Sequence, residues 1–264
     1  MVTIILVVFK TDKKKLNKIL KKIDKKFKVI IVDNSKNYNF SKIRISNNTK
    51  IIRSKNIGNG AAINKALKRC NTKFAIYMDL DIEVEQSFLN KFSDISKKIK
   101  EFGILVPNHG NFKKKKSIIE FYEGEAAVML YNIKNLKKLN FFDENFFLYY
   151  EEVDLLYRCK MNNIKCYLIP YLKIKHNRAS SIKNENHNLK CVRVWHYMWS
   201  MFYFYKKNFN YFYAFNKTYL FLLKDLIKLF MYICIFDKYN CKIRFYRIYG
   251  LICSIIGINS FKRP

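Results

Sequence analysis

Three groups of residues in this chain have the types and spacing to do chemistry. Asp79 and Asp81, separated by one residue, directly follow the apolar run 74–78. Two carboxylates so spaced at a strand end can project into one cleft and share a hard divalent cation, Mg2+ or Mn2+, with a diphosphate supplying further oxygens. The stretch 141–158, FFDENFFLYYEEVDLLYR, concentrates Asp143, Glu144, Glu151, Glu152 and Asp154 among seven aromatic rings. Such acids can take a proton from an attacking hydroxyl. The plainer account is that acids favour the positive end of a helix dipole and that Asp154 with Arg158 is an i, i+4 pair. The third group is 54–64, SKNIGNGAAIN, a glycine-bearing turn that opens a helix and can receive phosphate or ribose.

The surrounding pattern supplies elements to hold these residues. Residues 2–9 are continuously apolar and β-branched, as in a strand covered on both faces. Leu16, Ile19, Leu20, Ile23 and Phe27 then fall on one helical face. A second buried strand at 29–32 ends in Asp33-Asn34-Ser35, a third at 51–52 leads into the glycine turn, and a fourth at 74–78 leads into Asp79. Strand, helix, strand with an acid at the second strand's carboxyl end opens many nucleotide-binding α/β domains. A dinucleotide fingerprint is not met, because Ile63 stands where Gly58-x-Gly60 would need its third glycine. Beyond, a helix is expected through Phe88, Phe92, Ile95 and Ile99, strands at 103–106 and 125–130, and a short helix at 133–139. Lysines 113–116 read as a solvated charge run. In the helical part of the acidic stretch, Glu151, Asp154, Leu155 and Arg158 share one side, with Glu152 turned about 100° from Glu151. Two strands are expected on either side of Pro170, followed by His176.

At 264 residues the chain can bury a substantial core, and with half its residues hydrophobic it is not globally disordered. A net charge of +31 suggests polyanions or an anionic membrane, but the lysines are dispersed and no nucleic-acid module is present, so no specific nucleic acid is expected. Seven cysteines without a CxxC pair fit neither a disulfide framework nor a zinc ribbon, and suit a reducing compartment. The first nine residues read as a strand and not as a signal peptide. The last third is helical, aromatic and basic, with apolar blocks interrupted by Lys224, Asp225 and Lys228. That composition suggests helices lying in a membrane interface, or covering the catalytic domain or a partner.

Taken together, VDNS at 32–35, SKNIGNGAAIN, DLD at 79–81, GEAAVML at 124–130, the acidic stretch and His176 before a Ser-rich turn resemble the family 2 glycosyltransferases of GT-A fold. Within these, the rhamnosyltransferase-like branch that builds cell-surface polysaccharides is most similar. The resemblance covers roughly residues 2–205. It implies a three-layer α/β/α sandwich with a mainly parallel mixed sheet over 1–205; residues 206–264, outside it, are read from their composition as a basic aromatic region of amphipathic helices. It further implies that Asp33 and Asn34 meet the nucleotide, that Asn56 and Gly58 line its pocket, and that Asp79 faces the ribose and diphosphate. Asp81 would bind the metal, with His176 as a second protein ligand. The general base would be Glu152, where the family more often has Asp, with Glu151 and Asp154 as rivals or as groups that orient acceptor hydroxyls. The implied reaction is inverting transfer of a sugar such as rhamnose from a nucleoside diphosphate to a glycan or lipid-linked acceptor. It would take place at the inner face of the cytoplasmic membrane. A catalytically inactive scaffold and a polyanion binder are the alternatives; donor and oligomeric state are left open.

Overall fold

The computed structural model describes residues 1–110, 117–124, 127–176 and 187–264, without the side chains of Glu83, Gln86, Lys175 and His176. The chain divides into two compact units, residues 1–143 with 152–181 and residues 144–151 with 182–264.

The first unit is built on one sheet. Its strands are β1 (Val2–Val8), β2 (Lys28–Asp33), β3 (Thr49–Arg53), β4 (Phe74–Met78), β6 (Ile104–Asn108), β7 (Ile119–Glu120), β8 (Val128–Asn132) and β9 (Cys166–Lys173). They lie in the order β3-β2-β1-β4-β8-β6-β9-β7. Strands β1 to β4 are mutually parallel, β8 runs antiparallel between β4 and β6, and β9 returns parallel to β6. A separate two-stranded ribbon pairs β5 (Ile82–Glu83) with β10 (Lys175–His176).

Strand alternation sorts the core into two layers. Ile4, Leu6, Val29, Ile31, Ile76 and Met78 face one side, with Leu16 and Ile19 of α1 (Lys13–Leu20) and Phe88, Leu89 and Phe92 of α3 (Gln86–Lys98). Ile5, Ile30, Val32, Ala75 and Tyr77 face the other. There they meet Ala62, Ile63 and Ala66 of α2 (Asn59–Leu67), Leu136 of α4 (Ile133–Lys137), and Leu155, Leu156 and Cys159 of α5 (Glu151–Met161). This is the expected three-layer α/β/α sandwich.

Two local expectations are corrected. The first helix stops at Leu20, so Ile23 and Phe27 do not extend its face; the Asp24 side chain accepts the Lys26 N–H at 3.0 Å, an Asx turn that competes with helix. Residues 166–173 form one strand through Pro170 instead of two around it. The ladder to β6 shifts register there, Pro107 pairing with Ile169 and Asn108 with Lys173, so no paired N–H is required of Pro170. Lysines 113–116 and the start of the 125–130 strand lie outside the described residues. All seven cysteines are free thiols.

The second unit packs α6 (His187–Asn208), α7 (Tyr211–Cys234) and α8 (Lys238–Ile255). The sequence reading did not single out α8. Gly250 lets it approach the backbone carbonyl of Trp195, where any Cβ would collide. Segment 144–151 is threaded into this unit: Phe146 meets Tyr203 edge-on at 4.9 Å, Phe147 stacks on His196 at 4.6 Å, and Ser200 Oγ donates to the Leu148 carbonyl at 2.9 Å. On α7, Asp225 is buried and paired with Arg244 at 2.8 Å and Arg247 at 2.7 Å. No described helix is long and apolar enough to cross a membrane.

Candidate active site

Strands β2, β3 and β4 all end on one edge of the sheet, and the candidate donor residues lie at or follow those ends. At the end of β2, Asp33 is fully buried and its carboxylate closes the loop that follows, accepting the Ser35 N–H at 2.9 Å and the Tyr38 N–H at 3.0 Å. Arg53, at the end of β3, donates to it at 3.3 Å while its side chain remains mostly exposed. These charge-assisted bonds fix the shape of the loop.

Asn34 joins that loop to the glycine turn. Its Nδ2 donates to Asn56 Oδ1 at 3.1 Å and to the Gly58 carbonyl at 3.2 Å, and its Oδ1 accepts the Ile57 N–H at 3.1 Å. Asn56 Oδ1 also accepts the Gly58 N–H at 3.3 Å. Gly58 caps α2 with φ 96° and ψ 170°, a conformation essentially reserved for glycine.

The next link crosses to β4. Tyr77, in the middle of the apolar strand, donates its hydroxyl to Asp79 Oδ1 and reaches Asn59 Oδ1 at 3.2 Å. Burial, reinforced by the Asp79 charge, raises the Tyr77 phenol well above its ordinary pKa, so it stays protonated and donates to that carboxylate. Asp79 N–H in turn donates to the Ala127 carbonyl at 2.8 Å. Asp33, Asn34, Asn56, Gly58 and Asp79 thus belong to one array. Asp81 follows two residues later, partly exposed. The β5–β10 ribbon pairs His176 with Ile82, the residue after Asp81. The His176 side chain lies outside the described residues. Among the described residues no group of three His, Cys, Asp or Glu gathers that could hold a metal by itself.

The acids of α5 separate by environment. The helix leads back through a four-residue connection to β9, which is parallel to β6, so the helix start lies toward the carboxyl edge of the sheet. Asp154 is fully buried and bound to Arg158 at 2.7 Å; Arg158 also donates to the carbonyls of Leu139 at 2.8 Å and Phe141 at 2.6 Å. Asn64 of α2 grips the same stretch, donating to the Phe142 carbonyl at 2.9 Å and accepting its N–H at 3.0 Å. Asp154 therefore anchors the loop before the helix. Glu151 is buried and Glu152 half-buried. Tyr149 and Tyr150, immediately before them, both have φ 67°, and Tyr149 accepts from Arg193 at 2.8 Å. Phe141, Phe142, Phe146 and Phe147 are core residues. The sequence reading missed Tyr77, Asn59, Asn64 and Arg53. Only a polar atom inside an otherwise apolar strand singles out Tyr77.

The glycosyl transferase family 2 domain matches residues 4–163, well over half the chain, from within β1 through β8 and α5. The chain belongs to this family. No curated protein matches it by sequence. Among solved structures, the family 2 chain is similar to GalNAc-T7 with UDP, GalNAc and Mn2+, at TM-score 0.58 and 14% identity, covering 76% of this chain and 49% of that one. The mannosyltransferase PcManGT from Pyrobaculum calidifontis, in complex with GDP-Man and Mn2+, gives TM-score 0.56 and 11% identity over 96% of this chain and 86% of its own. S. aureus TarS gives TM-score 0.51 and 15% identity over 73% of this chain, which spans 39% of the TarS chain. At these identities the likeness is one of fold, and the fold is that of GT-A glycosyltransferases.

Proposed function

We propose that this family 2 protein is an inverting glycosyltransferase that uses a nucleoside-diphosphate sugar. The observation that carries the proposal is that the loops after β2, β3 and β4, at the carboxyl edge where α/β folds receive nucleotides, are tied together: Asn34, next to the loop-closing Asp33, bonds Asn56 and Gly58, and Tyr77 bonds Asn59 and Asp79. Asp33 shapes the base-side loop, the Asn34 latch holds the glycine turn against it, and Asp79 faces the ribose and diphosphate. Asp81, with Asp79 and His176, would hold Mg2+ or Mn2+; hard oxygen donors suit these ions, and a donor diphosphate would complete the set. When bound, the cation offsets the charge that develops on the leaving diphosphate.

Glu152 is the general base in this reading. It is the more accessible of the paired glutamates, whereas Asp154 is committed to Arg158. Glu152 takes the proton from the acceptor hydroxyl as that oxygen bonds to the anomeric carbon and the carbon–oxygen bond to the diphosphate breaks. Displacement from the opposite face inverts the anomeric centre. Rhamnose is the first donor sugar to try, because the motifs resemble the rhamnosyltransferase-like branch; the GDP-Man and UDP-GlcNAc complexes of its structural relatives make those nucleotides the next. A glycan or lipid-linked acceptor and a place on the cytoplasmic membrane face belong to the same proposal.

The test is thermal stabilisation by UDP, GDP and deoxythymidine diphosphate and their sugars, each with and without Mn2+. Binding to the native state raises the midpoint by mass action. One nucleotide is expected to raise it with Mn2+, and Asp81→Asn to remove the metal-dependent part. Absence of a shift with every nucleotide would overturn the proposal.

A further inference from the structure

Helix α7 keeps much of its apolar surface outside the core. Its fully buried positions are small or polar, with Leu222 packed beside them: Ala214, Thr218 and Asp225 are buried, Asp225 between Arg244 and Arg247, and Thr218 Oγ is satisfied by the Ala214 carbonyl at 2.8 Å. Its outward side carries Phe212, Leu220, Leu223, Ile227, Phe230 and Met231, which are 80%, 60%, 50%, 63%, 69% and 57% exposed. At 100° per residue these six fall within an arc of about 100°. The helix end continues the theme, with Ile235 at 66% and Phe236 at 87% exposure. Isolated exposed apolar side chains need no explanation, but a contiguous face of them marks an interaction surface.

The charges beside that face indicate what covers it. Lys217, Lys224 and Lys228 recur at i, i+7 and i+11, so they form a stripe about 40° wide, roughly 90° from the centre of the apolar arc. Residues 206–264 contain eleven Lys and Arg against two Asp, and both Asp lie outside the apolar arc. In an antiparallel two-fold pairing a second copy of the chain would bring the same positive edge against this one.

We propose that α7 seats this protein on an anionic lipid surface. The helix lies in the plane of the bilayer, with Leu220, Leu223, Ile227 and Phe230 entering the boundary between headgroups and acyl chains. Lys217, Lys224 and Lys228 extend along that boundary to lipid phosphates. The Asp225 pairs hold the helix with this side outward. The inference rests on the membrane-face location included in the proposed function and names the surface that would provide it; its test does not depend on the sugar donor.

The experiment is co-sedimentation of the full chain with vesicles of phosphatidylcholine alone and with roughly one third phosphatidylglycerol, the range over which surface potential recruits basic segments. Wild type is expected to sediment with the anionic vesicles and about tenfold or more weakly with the neutral ones. L223E/I227E/F230E, with unchanged far-ultraviolet circular dichroism, should lose anionic binding by tenfold or more. K217Q/K224Q/K228Q, which alters only the stripe, should lose the anionic preference. Retained binding by a folded L223E/I227E/F230E variant would reduce the effect to unspecific charge and overturn the proposal. Absence of wild-type binding would also overturn it. If that absence came with a sedimentation-equilibrium dimer that L223E/I227E/F230E abolishes, the face would be assigned to a second copy.

Discussion

Glu152 and Asp154 are two positions apart in one helix, yet the structure gives them different surroundings. Glu152→Gln keeps size and hydrogen-bonding capacity but cannot accept a proton. Turnover should fall by about 10²–10⁴, the usual worth of a general base, with nucleotide-induced stabilisation unchanged. Asp154→Ala removes the partner of a largely buried guanidinium and loosens the loop that Arg158 holds at Leu139 and Phe141. Unfolding by urea should show a loss of about 3 kcal/mol, the range for breaking such a pair. If both variants lost turnover alone and kept full stability, Asp154 would have to be moved into the reaction. The sequence ranked Glu152 first by family resemblance but could not assign Asp154 its anchoring part, because its partner Arg158 also binds carbonyls 17 and 19 residues earlier. In contrast, Arg158 itself was legible as an i, i+4 neighbour.

Elements were easiest to read where one apolar pattern fills a whole strand, as in residues 74–78, and hardest where a side chain competes with the backbone, as at Asp24. Pro170 was misread because proline within a strand is tolerated only where the ladder shifts, and that shift is set by β6. The turn into α2 was legible as glycine-bearing, while its latch was not: Asn34 and Asn56 come from different elements. Gly58→Ala tests the turn directly. A methyl group at φ 96° and ψ 170° should cost about 1–3 kcal/mol, read as a lower thermal midpoint. The same variant should weaken nucleotide-induced stabilisation, since the N–H and carbonyl of residue 58 both belong to the latch. A fully stable Gly58→Ala would mean that α2 can start elsewhere.

For the molecule as a whole, acid should act on the helical unit through His196. Its Nε2 donates to the Lys262 carbonyl at 2.7 Å, Ser260 Oγ lies 3.3 Å from Nδ1, and burial, with Arg263 nearby, lowers its pKa to about 4. The unfolded chain binds this proton near the ordinary value of about 6.5, so the contribution is complete above that pH and is lost as pH falls from about 6.5 through 4. Between pH 7 and 4.5 wild type should lose about 2 kcal/mol more stability than His196→Gln, measured by urea unfolding. Equal losses would show that the imidazole is not held neutral. The buried strands β1, β2 and β4 were legible as apolar runs and the mainly parallel sheet was implied by the family resemblance, but the position of β8 between β4 and β6 was not legible. That position also sets a timetable. Residue 78 completes β4, yet the strand that covers its open edge ends at Asn132. At roughly 5–20 residues per second the ribosome leaves that edge uncovered for about 3–10 seconds. During this interval Phe74–Met78, paired with β1 on one edge, offers its other edge to any neighbouring nascent chain. Synthesis rate and chaperone supply, more than the stability of the finished fold, should therefore govern how much soluble protein a cell recovers.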